Sequence, residues 1–221
     1  MTASHGSRKF FLEGPAGRLE AILWTPASPT PERPPVAAVV CHPHPLFGGT
    51  MHNKVVYQAA KSLDALGLPV LRFNFRGAGL SAGKHDSGRG EQGDVRAALD
   101  FLGGQFTEAP LLLVGFSFGA SVGLRVACEY PRVSHLTGLG IPVNSSDFSF
   151  LSHCNKPKLF VHGSEDEYGA VERVRALVAS LPGENRLAII QGVNHFFVGK
   201  LNELDAAVTN WLKEKVFRRH H

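Results

Sequence analysis

Residues 111–126, LLLVGFSFGASVGLRV, set one serine between two glycines in Gly115-Phe116-Ser117-Phe118-Gly119. Four apolar residues, Leu111 to Val114, come before it, and a helix-compatible run starts at Ala120. A Gly-x-Ser-x-Gly between a strand and a helix is the pattern of a nucleophile elbow. The chain must reverse direction in very few residues, which forces Ser117 toward positive φ, a costly conformation for a residue with a Cβ. Gly115 and Gly119 let strand and helix approach closely around that turn. The hydroxyl is then held clear of the sheet at a helix N-terminus, whose free N–H groups and positive dipole end favour an anion. These are the conditions for an acyl-transfer nucleophile.

A serine hydroxyl is a weak nucleophile near neutral pH, so a base must take its proton. Histidine does this near pH 7, and a carboxylate fixes its tautomer and stabilises the imidazolium. The sequence offers both groups later in the chain. An apolar run at 158–162 leads into His162-Gly163-Ser164-Glu165-Asp166-Glu167, with three acids in one loop. A second run at 187–191 leads into Gly192-Val193-Asn194-His195. Asp147, after the preceding apolar run, is a further acid in reach of the same end of a sheet.

Elements that would position these groups follow from the hydrophobic pattern. Residues 8–12 and 18–24 predict an antiparallel hairpin about the Gly-Pro-Ala-Gly turn at 14–17. The Pro-rich stretch 25–35 predicts an irregular connector. From residue 36 onward, strands at 36–41, 69–75, 111–114, 135–143, 158–162 and 187–191 alternate with helical stripes at 53–66, 91–102, 120–130, 171–181 and 199–217. That alternation predicts an α/β fold: a mostly parallel, doubly wound sheet of about eight strands with helices on both faces. Ligands in such sheets bind at the carboxyl ends of the strands, which is where Ser117, the three acids and His195 fall. No repeat or second-domain boundary is visible, so residues 1–221 are expected to form one domain. Residues 218–221 are a tail, and His220-His221 read as native or as a tag remnant.

Bulk numbers exclude other classes. Of 221 residues, 43% are hydrophobic and 19% charged, which fits a globular chain. The net charge of +4 is small and no basic patch stands out, so no nucleic-acid partner is expected. Three scattered cysteines make no disulfide framework. No apolar stretch suits a signal peptide or a membrane span, so a cytoplasmic protein with no membrane association is expected. Monomer and homodimer are not distinguished.

The GFSFG elbow, the HGSEDE loop and the GVNHF loop together resemble the α/β-hydrolase superfamily over essentially the whole chain. More narrowly, CHPHPLFGGTMHNKV, LRFNFRGAGLSAG and GEQGD resemble its small, lidless carboxylesterase branch, close to dienelactone-hydrolase-like proteins. Dienelactone hydrolases proper carry Cys at the elbow, so with Ser117 here their lactone chemistry does not carry over. The resemblance implies Ser117, Asp166 and His195 as a catalytic triad, Asp166 being the fourth residue after the His of the His-Gly turn. It implies an oxyanion hole from the N–H of Phe118 and of His44. Pro43 and Pro45 have no N–H to offer. It implies no inserted lid, since 144–157 has room for one helical turn, and hence an open site for small, short-chain carboxylic esters. Thioesters and small amides are alternatives of the same mechanism, and a non-catalytic small-molecule-binding protein is the alternative of another class. A peptidase would want a further domain. Candidate pocket residues are Phe116, Phe47, Phe148 and Phe196, although core packing is the commoner fate of Phe.

Two other patterns are discounted. Gly77-Ala78-Gly79-Leu80-Ser81-Ala82 matches a dinucleotide fingerprint, but no helix opens until about Glu91. Arg76 beside it is expected to tie the loop to Glu91 or Asp94. Cys41, His42 and His44 lack the spacing partners of a metal site, so no metal and no cofactor is expected.

Overall fold

The computed structural model describes residues 5–26 and 36–217; the 218–221 tail with His220-His221, and most of the Pro-rich connector, lie outside the described residues. Strands β1 (His5–Gly14) and β2 (Gly17–Pro26) form the expected antiparallel hairpin about the 14–17 turn. Six more strands follow: β3 (Ala37–Cys41), β4 (Val70–Phe73), β5 (Leu111–Phe116), β6 (Val133–Leu139), β7 (Lys158–Gly163) and β8 (Asn185–Ile190). All eight make one sheet in the order β1-β2-β4-β3-β5-β6-β7-β8, parallel from β4 to β8.

The central strands are buried from end to end, as expected of strands covered on both faces. Alternate residues sort into two cores. Ala37, Val39, Cys41, Leu111 and Leu113 face one side with Val95, Leu99, Leu124 and Val174. These come from α2 (Arg89–Gln105), α3 (Phe118–Glu129) and α4 (Val171–Ser180). Ala38, Val40, Leu112, Val114 and Phe116 face the other with Val56, Leu63, Leu204 and Trp211, from α1 (Lys54–Ala65) and α5 (Leu201–Leu212).

The chain leaves β3 toward β4 on one side and returns to β5 on the other. This makes the carboxyl ends of β3 and β5 a topological switch point, the place where a doubly wound sheet opens a crevice. Between β6 and β7 the chain holds a single 3-10 turn, Ser149–His153, and no inserted domain.

Several expected boundaries shift. The strand expected to run to 143 ends at Leu139, because Gly140 turns to φ 50° and Pro142 has no N–H for a ladder. The last helix is regular only over Leu201–Leu212 and widens into a π-type turn over Lys213–Phe217. After β4 the loop stays irregular until Arg89, so the Gly-x-Gly-x-x-Ala stretch opens no helix.

Of the two acids expected for Arg76, Asp94 takes it. The guanidinium donates from Nε at 3.0 Å and from an Nη at 2.7 Å, and the Arg76 N–H adds a bond at 3.0 Å. The Asp94 side chain is fully buried, and its hydrogen bonds hold the Arg76 guanidinium above its ordinary pKa. Glu91 instead accepts the N–H groups of Asp86 and Gly88. Removing one member of such a pair leaves the other charge without compensation. Asp94→Ala is therefore expected to lower stability by about 3–5 kcal/mol, read from urea unfolding, and to loosen the loop before α2.

Candidate active site

The turn from β5 into α3 takes one residue. Ser117 has φ 55° and ψ −118°, in the positive region that residues with a Cβ rarely enter. Its N–H donates to the Leu139 carbonyl at 3.0 Å, and its carbonyl accepts from Ala120 and Ser121. These bonds lock the strained backbone between β6 and the first helical turn. The helix begins at Phe118, two residues earlier than the periodicity places it. Close approach is what the glycines supply. A Cβ on Gly119 would sit 2.5 Å from the carbonyl oxygens of Cys41 and His42, and one on Gly115 2.5 Å from the Gly119 carbonyl.

Three strand-end groups meet at this turn. Ser117 Oγ lies 2.8 Å from His195 Nε2, and His195 Nδ1 lies 2.8 Å from Asp166 Oδ2. With the Nδ1 proton donated to the carboxylate, Nε2 is left to accept the serine hydroxyl. Asp166 also accepts the N–H groups of Tyr168 and Gly169 on Oδ1, at 2.9 and 3.2 Å. Both side chains of the pair are almost entirely buried. The His195 ring packs against Phe116 and Tyr168, with centroids 5.0 and 4.6 Å apart. The two loops are laced together: Ser164 N–H donates to Ile190 and Glu165 N–H to Val193. Glu165 is exposed, Glu167 is exposed but accepts the His195 N–H on Oε2 at 3.4 Å, and Asp147 is drawn off to Arg125 at the surface.

The loop after β3 brings His44 to the same place. His42 is fully buried, and its Nε2 accepts the Phe75 N–H at 2.9 Å. Its proton is therefore on Nδ1, which donates to the Pro43 carbonyl at 2.6 Å. The peptide is trans, so fixing the Pro43 carbonyl also fixes the His44 N–H on the opposite side. Among the described residues, neither the His44 nor the Phe118 N–H has a backbone acceptor. Burial pushes the His42 imidazole down to about 4. Its nitrogens are engaged with backbone, and no group of three or more His, Cys, Asp or Glu among the described residues could hold a metal.

A cavity of about 160 Å³ opens beside Ser117 and His195, walled by Pro43, His44, Phe47 and Phe196. Of the four candidate pocket residues, Phe47 and Phe196 line this cavity. Phe116 and Phe148 do not. Phe116 is fully buried, on the same strand face as Leu112 and Val114, and backs the His195 ring. Phe148 is buried in the opposite core against Phe150. Tyr168 and Asn53 line the cavity and were not singled out from the sequence. Tyr168 stands two residues after Asp166 and Asn53 caps α1, and those two positions are the signals available.

A doubly wound sheet with this elbow after β5 defines an α/β hydrolase. Comparison with known proteins agrees. Residues 39–161 match the family model described as alpha/beta hydrolase fold. An α/β serine hydrolase without lid from Xanthomonas campestris is 36% identical, with 97% of each chain covered and a TM-score of 0.88. A serine hydrolase homologue from Coxiella burnetii is 38% identical, over 93% of this chain and 97% of that one, with a TM-score of 0.86. An uncharacterized protein of Rickettsia prowazekii is 38% identical over 96% of this chain and 92% of its own length. The chain belongs to the alpha/beta hydrolase fold family, and the serine hydrolases among its relatives support a hydrolase activity. No helix among the described residues is long and apolar enough to cross a membrane.

Two measurements follow. Gly119→Ala forces a Cβ onto two backbone carbonyls and is expected to cost about 1–3 kcal/mol. Gly104→Ala, on the exposed face of α2 with open space around it, is expected to gain about 0.5–1 kcal/mol in the same unfolding assay. The second concerns pH. An unfolded histidine protonates near 6.5 while buried His42 resists down to about 4. The unfolded state thus binds more protons in that window, and stability falls as pH drops from about 6.5 to 4. Denaturant titrations at stepped pH should show this slope, and it should be flatter in His42→Phe.

Proposed function

We propose that the protein is a carboxylesterase-type serine hydrolase acting on small esters with short acyl chains. The observation that carries this reading is the relay Asp166–His195–Ser117, two bonds of 2.8 Å ending on the elbow serine beside a cavity. His195 takes the proton as Ser117 Oγ attacks the ester carbonyl. The N–H groups of Phe118 and His44 receive the developing oxyanion. His42, by holding the Pro43 carbonyl, keeps the second of these donors aimed before substrate arrives. The C–O bond to the alcohol then breaks, and His195 returns its proton to the departing oxygen. Water attacks the acyl-enzyme with His195 again as base; the bond from Ser117 Oγ to the acyl carbon breaks, His195 returns the proton to Oγ, and the acid leaves. Asp166 keeps the imidazole in the right tautomer throughout.

The relatives' description as serine hydrolases supports the same reading. A molecule that only bound ligands would have no need of a strained serine in line with a buried His–Asp pair. The small cavity and open mouth favour short acyl groups; thioesters and small amides would follow the same path.

The test is hydrolysis of p-nitrophenyl acetate, butyrate and octanoate by wild type and Ser117→Ala. Wild type is expected to favour the short esters, and Ser117→Ala to lose turnover by up to about a millionfold. Equal, slow rates in both proteins would remove the esterase reading.

A further inference from the structure

A second, larger cavity of about 650 Å³ adjoins the first, and the two share Gly48, Asn53 and Phe196 as common walls. We propose that this trough is the alcohol subsite, and that the preferred substrates pair a short acyl group with a bulky apolar or aromatic alcohol. The inference rests on the esterase reading and deepens it.

The side of the reaction is set by proton transfer. In acylation the bond from Ser117 Oγ to the carbonyl carbon forms and the carbon–alcohol bond breaks. The alcohol oxygen takes the proton that His195 Nε2 received from Ser117. The alcohol must therefore lie on the His195 side of the scissile bond. The trough lies beside the residues that directly follow His195: Phe196 and Val198 line it with exposed side chains, with Leu201 beyond them.

The local backbone explains the shape. Asn194 Oδ1 accepts the Phe196 N–H and the Asn194 carbonyl accepts that of Phe197, closing a tight turn. Phe197 is driven to φ 53°. The turn sends the Phe197 ring fully into the core and leaves Phe196 standing 44% exposed between the two cavities. Val198 is 69% exposed on the trough wall, and buried Val55 of α1 contributes to its floor. Thr50, His52, Asn53 and Lys54 supply the polar lining. Two apolar side chains, Phe196 and Val198, held open to solvent in a groove next to the cavity at Ser117 suit an apolar ligand group. The size difference, about 160 against about 650 Å³, assigns the small half of the ester to the first cavity and the large half to the trough.

The experiment uses alkyl esters whose alcohols leave with similar ease: ethyl, benzyl and 2-naphthylmethyl acetate, followed by acid release. Ethyl phenylacetate carries the same bulk on the acyl side. Wild type is expected to prefer benzyl over ethyl acetate by at least about tenfold in kcat/KM, chiefly through KM, and to disfavour ethyl phenylacetate. Val198→Trp narrows the trough from an exposed position, and the benzyl-to-ethyl ratio is expected to fall about tenfold with the melting temperature retained. Phe196→Ala, read by the same ratio, provides the second variant. A wild-type ratio near one, a ratio that neither variant moves, or a preference for bulk on the acyl side overturns the subsite while leaving the esterase reading intact. If no ester is cleaved at all, both fall.

Discussion

The strained backbone of Ser117 is the constraint on which the rest of the site depends. A left-handed serine at φ 55° is unfavourable by itself and persists only where its surroundings over-determine it. Here the surroundings are β6, which accepts its N–H, and the first turn of α3, which donates to its carbonyl. The helix sits so tightly on the end of β3 that Gly119 has no room for a methyl group. That same contact sets the carbonyls of Cys41 and His42 against α3 and so fixes where the loop carrying Pro43 and His44 begins. One tight crossing therefore positions the hydroxyl, the Phe118 N–H and the His44 N–H together.

The other half of the relay is held by a different device. Asp166 and His195 sit on loops after β7 and β8, neighbouring parallel strands in register from Lys158–Asn185 to Gly163–Ile190. Backbone bonds between the loops continue the ladder past the strand ends. The acid and the imidazole thus inherit their spacing from the sheet. Aromatic rings then keep the imidazole upright, Phe116 from beneath the elbow and Tyr168 from the acid's own loop. Within these partly exposed loops the Asp166 carboxylate and the His195 ring are buried, so their polar atoms are satisfied by one another and by nearby groups.

Much of this was legible in the sequence because it depends on short-range rules. Gly-x-Ser-x-Gly after four apolar residues names its own turn, and alternating strand and helix patterns give the sheet and its loaded end. Side-chain direction was harder to read. Phe116 reads as a pocket residue if only its nearness to Ser117 is weighed, yet Leu112, Val114 and Phe116 share one strand face, which decides for burial. Phe148 lies in an irregular stretch with no periodicity to place it. The role of His42 was invisible, since it depends on the Phe75 N–H, brought next to it only when β3 and β4 pair. Tyr168 and the trough behind Phe196 likewise arise from loop conformations that local pattern does not encode.

Three buried histidines at strand ends show what separates the proposed base from its look-alikes. His42, His162 and His195 each follow an apolar strand or close one, and composition alone does not rank them. His42 has both nitrogens engaged with backbone, and burial holds it neutral. His162 donates from Nε2 to the Gly169 carbonyl at 2.6 Å, lies 3.6 Å from Asp166, and is likewise pushed down by burial. Both therefore stiffen loops: one the turn bearing His44, the other the turn bearing Asp166. His195 alone of the three has a carboxylate on one nitrogen and a hydroxyl on the other. A carbonyl partner fixes a ring's tautomer while burial keeps it neutral; a carboxylate adds a full negative charge that steadies the imidazolium formed when a hydroxyl on the other nitrogen gives up its proton. What separates the proposed base from the other two histidines is therefore this pair of partners, a carboxylate and a hydroxyl, in place of backbone groups.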